Sequence, residues 1–145
     1  MIKIIAIGKK TDYDQQIKEY LKRLDNYFKI NFVFINHSKE HNENARKLES
    51  KEILKHIKED DYLILLDERG KELDNFELTK IFENKKNICL IIGGPYGVDD
   101  ELRKKCDFIW SLGKLVYSYE ISRLIVVEQI YRSQTISKNH PYHHK

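Results

Sequence analysis

The chain has 145 residues, 41% hydrophobic and 34% charged, which is enough apolar content for one core and too much for a disordered segment. Lys plus Arg number 26 against 23 Asp plus Glu, a net charge of +3. So mild an excess permits an RNA partner only if the basic residues gather on one face, and it does not by itself demand one.

The predicted elements alternate. Ile2 to Ile7 is an apolar run closed by Gly8, a strand. Thr11 opens a helix, with Asp14 in the capping-box position and Tyr13, Ile17, Tyr20, Leu21, Leu24, Tyr27 and Phe28 on one face at helical spacing. Asn31 to Asn36 reads as the second strand. Glu40 to Lys58 is a charged helix expected to turn Ala45, Leu48, Leu54 and Ile57 inward. Tyr62 to Leu66 is the third strand. Asp74 caps a short helix carrying Leu78, Ile81 and Phe82, with Glu77 at the boxed position. Asn87 to Ile92 is the fourth strand, Asp99 to Lys104 a short helix, Asp107 to Trp110 the fifth strand and Glu120 to Thr135 the last helix. Apolar strands alternating with helices predict an α/β domain with a parallel sheet, one domain over residues 1–145.

The last helix carries Ile121, Leu124, Ile125, Val126, Val127, Ile130 and Tyr131 over most of its circumference. A helix apolar nearly all round is buried on more than one side, either as a central core helix or against a second subunit. Cys89 and Cys106 form no C-x-x-C pair, which speaks against a metal site and fits a reducing cytoplasm. The apolar run in MIKIIAIGKK is too short for a signal peptide, and no stretch reaches membrane-spanning length, so no membrane partner is expected.

Three segments follow the C-terminal ends of strands, the edge where open α/β sheets bind ligands. Leu65 to Lys71 ends a strand in a charged turn and reads more simply as solvated than as a site wall. Ile91 to Asp99 holds three glycines in five residues. The spacing G-G-x-x-G is neither the dinucleotide fingerprint nor a phosphate loop, and Pro95 removes an amide. The loop therefore suits a nucleoside held by backbone, or else a plain tight turn. Ser111 to Tyr119 is longer than the usual strand-to-helix connection, as functional loops often are. Glu128 stands four residues before Arg132, the spacing of a simple helix ion pair. The tail, Ser137 to Lys145, gathers three histidines and two aromatic or proline breaks. It reads as a frayed terminus, a metal tract or an RNA-contacting arm.

Six segments in order, IIAIGK from Ile4, LDERGK from Leu66, IIGGPYGV from Ile91, SLGKLV from Ser111, RLIVVEQIYR from Arg123 and NHPYHHK from Asn139, carry a resemblance over the whole chain. The chain resembles the RlmH family, bacterial methyltransferases of the SPOUT class that act on a pseudouridine of 23S rRNA. The resemblance implies a parallel α/β domain with a C-terminal trefoil knot. It implies a homodimer packed through the last helix, and S-adenosylmethionine bent in the knotted pocket. It further implies methylation at N3 of the pseudouridine, on assembled ribosomes. Carried over by position, the cofactor contacts fall on Leu66, Gly93, Leu112, Gly113, Lys114, Leu115, Val116 and Tyr117. Arg123, Tyr142 and His143 match residues near the reacting base, with the tail reaching the partner's site. His143 is expected to assist deprotonation or orient the base, and Arg123 to stabilise the developing anion or hold a phosphate. Relatives commonly carry Pro-His where this chain has Ser118-Tyr119. That departure motivates a second reading, a ribosome-binding factor without catalysis, which donor binding would oppose. A third, a nucleotide-dependent oxidoreductase, already conflicts with the glycine spacing.

Overall fold

Five short apolar runs become five parallel strands, and the segments between them become helices, in a computed structural model that describes residues 1–9, 14–27 and 29–144. The elements are β1 (Ile2–Ile7), α1 (Asp14–Leu24), β2 (Ile30–Ile35), α2 (Asn42–Leu54), β3 (Tyr62–Glu72), α3 (Asn75–Asn84), β4 (Ile88–Ile92), α4 (Asp100–Lys105), β5 (Phe108–Ser111) and α5 (Tyr119–Ser137). The expected cap Thr11 and the face residues Tyr13 and Phe28 lie outside the described residues.

The strands pair in the order β2-β1-β4-β3-β5, every pair parallel. Because strand side chains alternate between faces, each strand feeds two cores. Ile2, Ile4, Ala6, Ile88, Leu90 and Ile92 meet α1, α3 and α5 through Ile17, Leu24, Leu78, Phe82, Val126, Val127 and Ile130. Ile5, Ile7, Ile35, Leu63, Leu65, Cys89 and Ile91 meet Ile53 of α2 and Leu102 of α4. A fully buried chain such as Ile4 or Leu90 contributes roughly 2 kcal/mol. Among the described residues no helix is long and apolar enough to cross a membrane.

Two elements depart from expectation. α2 is rotated: Leu48 is 49% exposed, and the inward face is Ala45, Glu49, Ser50 and Ile53. Each of these two buried polar side chains is bonded through one oxygen. Ser50 Oγ accepts from the Asp99 amide at 2.9 Å, and Glu49 Oε2 accepts from the Ser38 amide at 2.9 Å. β3 does not stop at Leu66. It continues to Glu72, pairing with β5 again at Lys71 and Glu72 after a bulge from Asp67 to Gly70. Gly70 is required there, since a Cβ would stand 2.5 Å from the Ile109 carbonyl oxygen. The expected solvated turn is thus a bulged strand edge.

Candidate active site

The C-terminal ends of β3, β4 and β5 open into a cleft of about 780 Å³, within the usual range for small-molecule sites. Its walls come from the three segments singled out in the sequence. Leu66, Gly93, Leu112, Gly113, Leu115, Val116 and Tyr117 line it; Lys114 is exposed and not part of the lining. Leu65, Ile92 and Val98 add an apolar bed, while Arg46, Asp67, Arg69 and Asp100 supply charge.

Each wall is held by a local device. In the β3 bulge, Asp67 Oδ1 accepts from the Arg69 amide at 2.8 Å and from its Nε at 3.3 Å, and Oδ2 pairs with Arg103 of α4. Burial alone would raise the Asp67 carboxyl, but these bonds from Arg69 and Arg103 outweigh it and hold the group below the usual carboxylate range. After β4, the Gly97 amide donates to the Gly94 carbonyl at 3.0 Å, closing a turn with Pro95 in its second position. Arg46 of α2 braces this turn from outside, its Nε donating to the Tyr96 carbonyl at 2.7 Å. After β5, Ser111 Oγ donates to the Gly113 carbonyl at 2.9 Å and accepts from the Gly113 amide at 3.1 Å. Leu115 and Val116 then stand 70% and 81% exposed. Ser118 caps α5 by accepting from the Ile121 amide. Tyr119 lines the cleft and covers the Arg123 guanidinium at 4.8 Å.

Arg123 itself is 0% exposed and forms no part of the cleft wall. Its Nη2 donates to the Ile7 carbonyl at 3.0 Å and its Nη1 to the Lys9 carbonyl at 2.6 Å. Phe34 stacks on its other side at 5.0 Å. Burial pulls this guanidinium down, opposed in part by Tyr119, Asp14 and Glu120. The room for it exists because Gly8 has no side chain and takes φ +122.

Tyr142 and His143 lie together on the far side of α5. Tyr142 Oη donates to Glu128 Oε1 at 2.9 Å, sits 3.3 Å from Tyr20 Oη, and packs edge-on to Tyr131 at 4.7 Å. Burial raises the Tyr142 phenol, reinforced by Tyr20 and Glu128. Glu128 also accepts from Arg132 Nε at 3.1 Å and Nη2 at 2.7 Å, the expected helix pair. Burial would lower Arg132, but Glu128 outweighs it and raises the guanidinium. Arg132 Nη1 reaches His143 Nδ1 at 3.1 Å, and Phe76 meets the His143 ring edge-on at 5.6 Å. The chain thus brings the loops expected to hold a cofactor together in one cleft, and the two tail residues together elsewhere. Sequence reasoning missed Asp67 and Arg46 as wall residues. Asp67 sat inside a quoted motif, whereas Arg46 carried no local signal. No group of three or more His, Cys, Asp or Glu is placed to hold a metal among the described residues.

Comparison with known proteins bears on this geometry. The family model described as "Predicted SPOUT methyltransferase" matches residues 1–143. A ribosomal RNA large subunit methyltransferase H from Parabacteroides distasonis is 38% identical over 157 residues, covering 99% of each chain. The protein of that name from Christiangramia forsetii is 37% identical over 155 residues, again with 99% of each covered. That from Pseudothermotoga lettingae is 33% identical over 150 residues, with the same coverage. The parallel α/β architecture agrees with this match, and the C-terminal knot comes with the family. The chain therefore belongs to the SPOUT methyltransferase family, together with these ribosomal RNA large subunit methyltransferases H, and is a methyltransferase.

Proposed function

We propose that this methyltransferase moves the methyl group of S-adenosylmethionine to N3 of a pseudouridine in 23S rRNA, on assembled cytoplasmic ribosomes. The observation that carries the reading is the convergence of Leu66, Gly93 and the Leu112–Tyr117 loop on one cleft. The lining fits the donor chemically. Leu65, Leu66, Ile92, Val98 and Leu112 offer an apolar bed for an adenine ring. Asp67 and Asp100, with Arg46 and Arg69, offer opposite charges for the cationic sulfur and the amino-acid end. When bound, the donor supplies a methyl group on a good leaving group, so the protein's work is alignment and help with the N3 proton.

The same residues support a homodimer. Leu115, Val116 and Ile121 expose apolar surface at the mouth of the cleft and the start of α5, the last of these 37% exposed. Tyr142 and His143 are not among the lining residues of their own protomer's cleft. A second copy packed through α5 supplies both to that cleft. Arg123 acts from the interior: by tying α5 to the end of β1, its charge holds Tyr119 against the cleft.

Ribosomes lacking the methyl group, incubated with the protein and labelled S-adenosylmethionine, test the reading. N3-methylpseudouridine in 23S rRNA, identified by mass spectrometry of the nucleosides, is the expected product. Donor binding without incorporation into those ribosomes refutes the substrate.

A further inference from the structure

We infer that His143 works as a hydrogen-bond donor through Nε2, in a tautomer set by Arg132, and not as the base that takes the N3 proton. The inference rests on the methylation proposed above and concerns the chemistry of that same site.

A guanidinium carries five N–H groups and no acceptor. Arg132 spends Nε and Nη2 on Glu128 Oε1, at 3.1 and 2.7 Å. Its Nη1 faces His143 Nδ1 at 3.1 Å. Two donors cannot share that contact, so Nδ1 presents its lone pair and the ring proton sits on Nε2. The arrangement is braced on both sides. Glu128 is held in turn by Tyr142 Oη at 2.9 Å and by Gln129 Nε2 at 2.6 Å, and Gln129 accepts from Asn75 Nδ2 at 2.6 Å. Phe76, on the α3 side, stands edge-on to the imidazole at 5.6 Å. Nε2 has no hydrogen-bond partner among the described residues and is left to donate.

The lone pair a base would need is therefore already engaged, and the free position is an N–H. In pseudouridine, N3 lies between two carbonyl groups. As the N3–H bond breaks, the electron pair spreads onto those oxygens, where an N–H donor stabilises it. The proton passes to solvent water, the N3 pair forms the new N–C bond, and the sulfur keeps the electrons of the broken C–S bond. In this scheme His143 touches the reacting base, and Arg132 and Glu128 are positioning residues.

Two measurements test this. The first is a long-range 1H–15N correlation spectrum of the full chain labelled with 15N-histidine, with His143 assigned by its loss in His143→Gln. The expected pattern is the Nε2–H tautomer. It collapses to a tautomer mixture in Arg132→Met and is retained in Arg132→Lys. An Nδ1–H pattern, or no change in Arg132→Met, overturns the inference without reference to activity. The second is single-turnover methyl transfer to ribosomes lacking the methyl group. His143→Gln places an N–H where Nε2–H stood and keeps the rate within about tenfold of wild type. His143→Asn and His143→Ala fall by roughly a hundredfold, as loss of one such donor does elsewhere. If His143→Gln falls as far as His143→Ala, the donor role is wrong. If wild-type protein methylates no ribosome, the proposed function fails instead, while the spectrum still decides the tautomer.

Discussion

Replacing Gly8 with alanine tests how tightly the end of β1 is locked to α5. The added Cβ would stand 2.7 Å from Arg123 Nη2, 3.1 Å from the Tyr119 ring and 3.2 Å from the His37 ring. The backbone at φ +122 is itself strained for any L side chain, at a cost on the order of 1–3 kcal/mol. Arg123 must also draw back from the Ile7 carbonyl, losing a charged hydrogen bond worth about 1.5–3 kcal/mol. The sum is about 2.5–6 kcal/mol, a large share of the roughly 5–15 kcal/mol that holds a domain. Urea unfolding at matched protein concentration reads it directly. With a slope near 1.5 kcal/mol per molar, the midpoint falls by about 2–4 M. Pairing the change with Arg123→Ala, which vacates the contested space, should recover part of the loss as a coupling energy. A Gly8→Ala midpoint within about 0.5 M of wild type would show that the junction yields freely and that this reasoning is wrong.

Three further outcomes follow from the site. Asp67→Asn should weaken donor binding several-fold by calorimetry. Its stability cost is on the order of 1 kcal/mol at pH 7, kept small by solvent screening of a partly exposed pair. Because the folded carboxyl is held below its unfolded value, that stability is present above about pH 4 and disappears as pH falls through the folded value. A gap between variant and wild type that persists in strong acid would contradict the assignment. Burial pushes the Cys89 thiol up to about 12 and the Cys106 thiol up to about 11, so both should react slowly with a disulfide reagent at pH 8 and quickly in urea; fast labelling of the folded protein would argue against this packing. If the proposed dimer packs through α5, Ile121→Asp should yield a folded monomer in sedimentation velocity where the wild type is dimeric, and an unchanged dimer would exclude Ile121 from the interface.

The parts of this fold that were legible from the chain were those whose causes are local. Asn87 to Ile92 reads as a buried strand because every residue after Asn87 is apolar, and Asp74 with Glu77 reads as a capping box because both partners sit within one turn. The loops after β4 and β5 stood out through glycine and length. The errors have one cause. Leu48 was set inward on hydropathy alone, and Glu49 and Ser50, which the structure buries, were not singled out. Their partners, Ser38 and Asp99, lie 11 and 49 residues away, and only those bonds make polar burial tolerable. Leu65 to Lys71 read as a solvated turn because the pairing of its far end with β5 across a bulge depends on residues some forty positions later.

Arg123 and Arg132 divide the same way. The pair Glu128–Arg132 follows from helix spacing. Periodicity does not say that Arg132 has a further donor left for His143, eleven residues on, nor that Arg123 turns inward to two carbonyls more than a hundred residues earlier. Composition, spacing and motif resemblance were sufficient for the class of element at each position, the loops that would form a site, and the family. Strand order, the rotation of α2, the burial of Arg123 and the hydrogen bond between Arg132 and His143 were settled only in three dimensions. Short-range periodicity dictates which face of an element is apolar, but the partner that satisfies a buried polar group is chosen by chain segments the local pattern never sees.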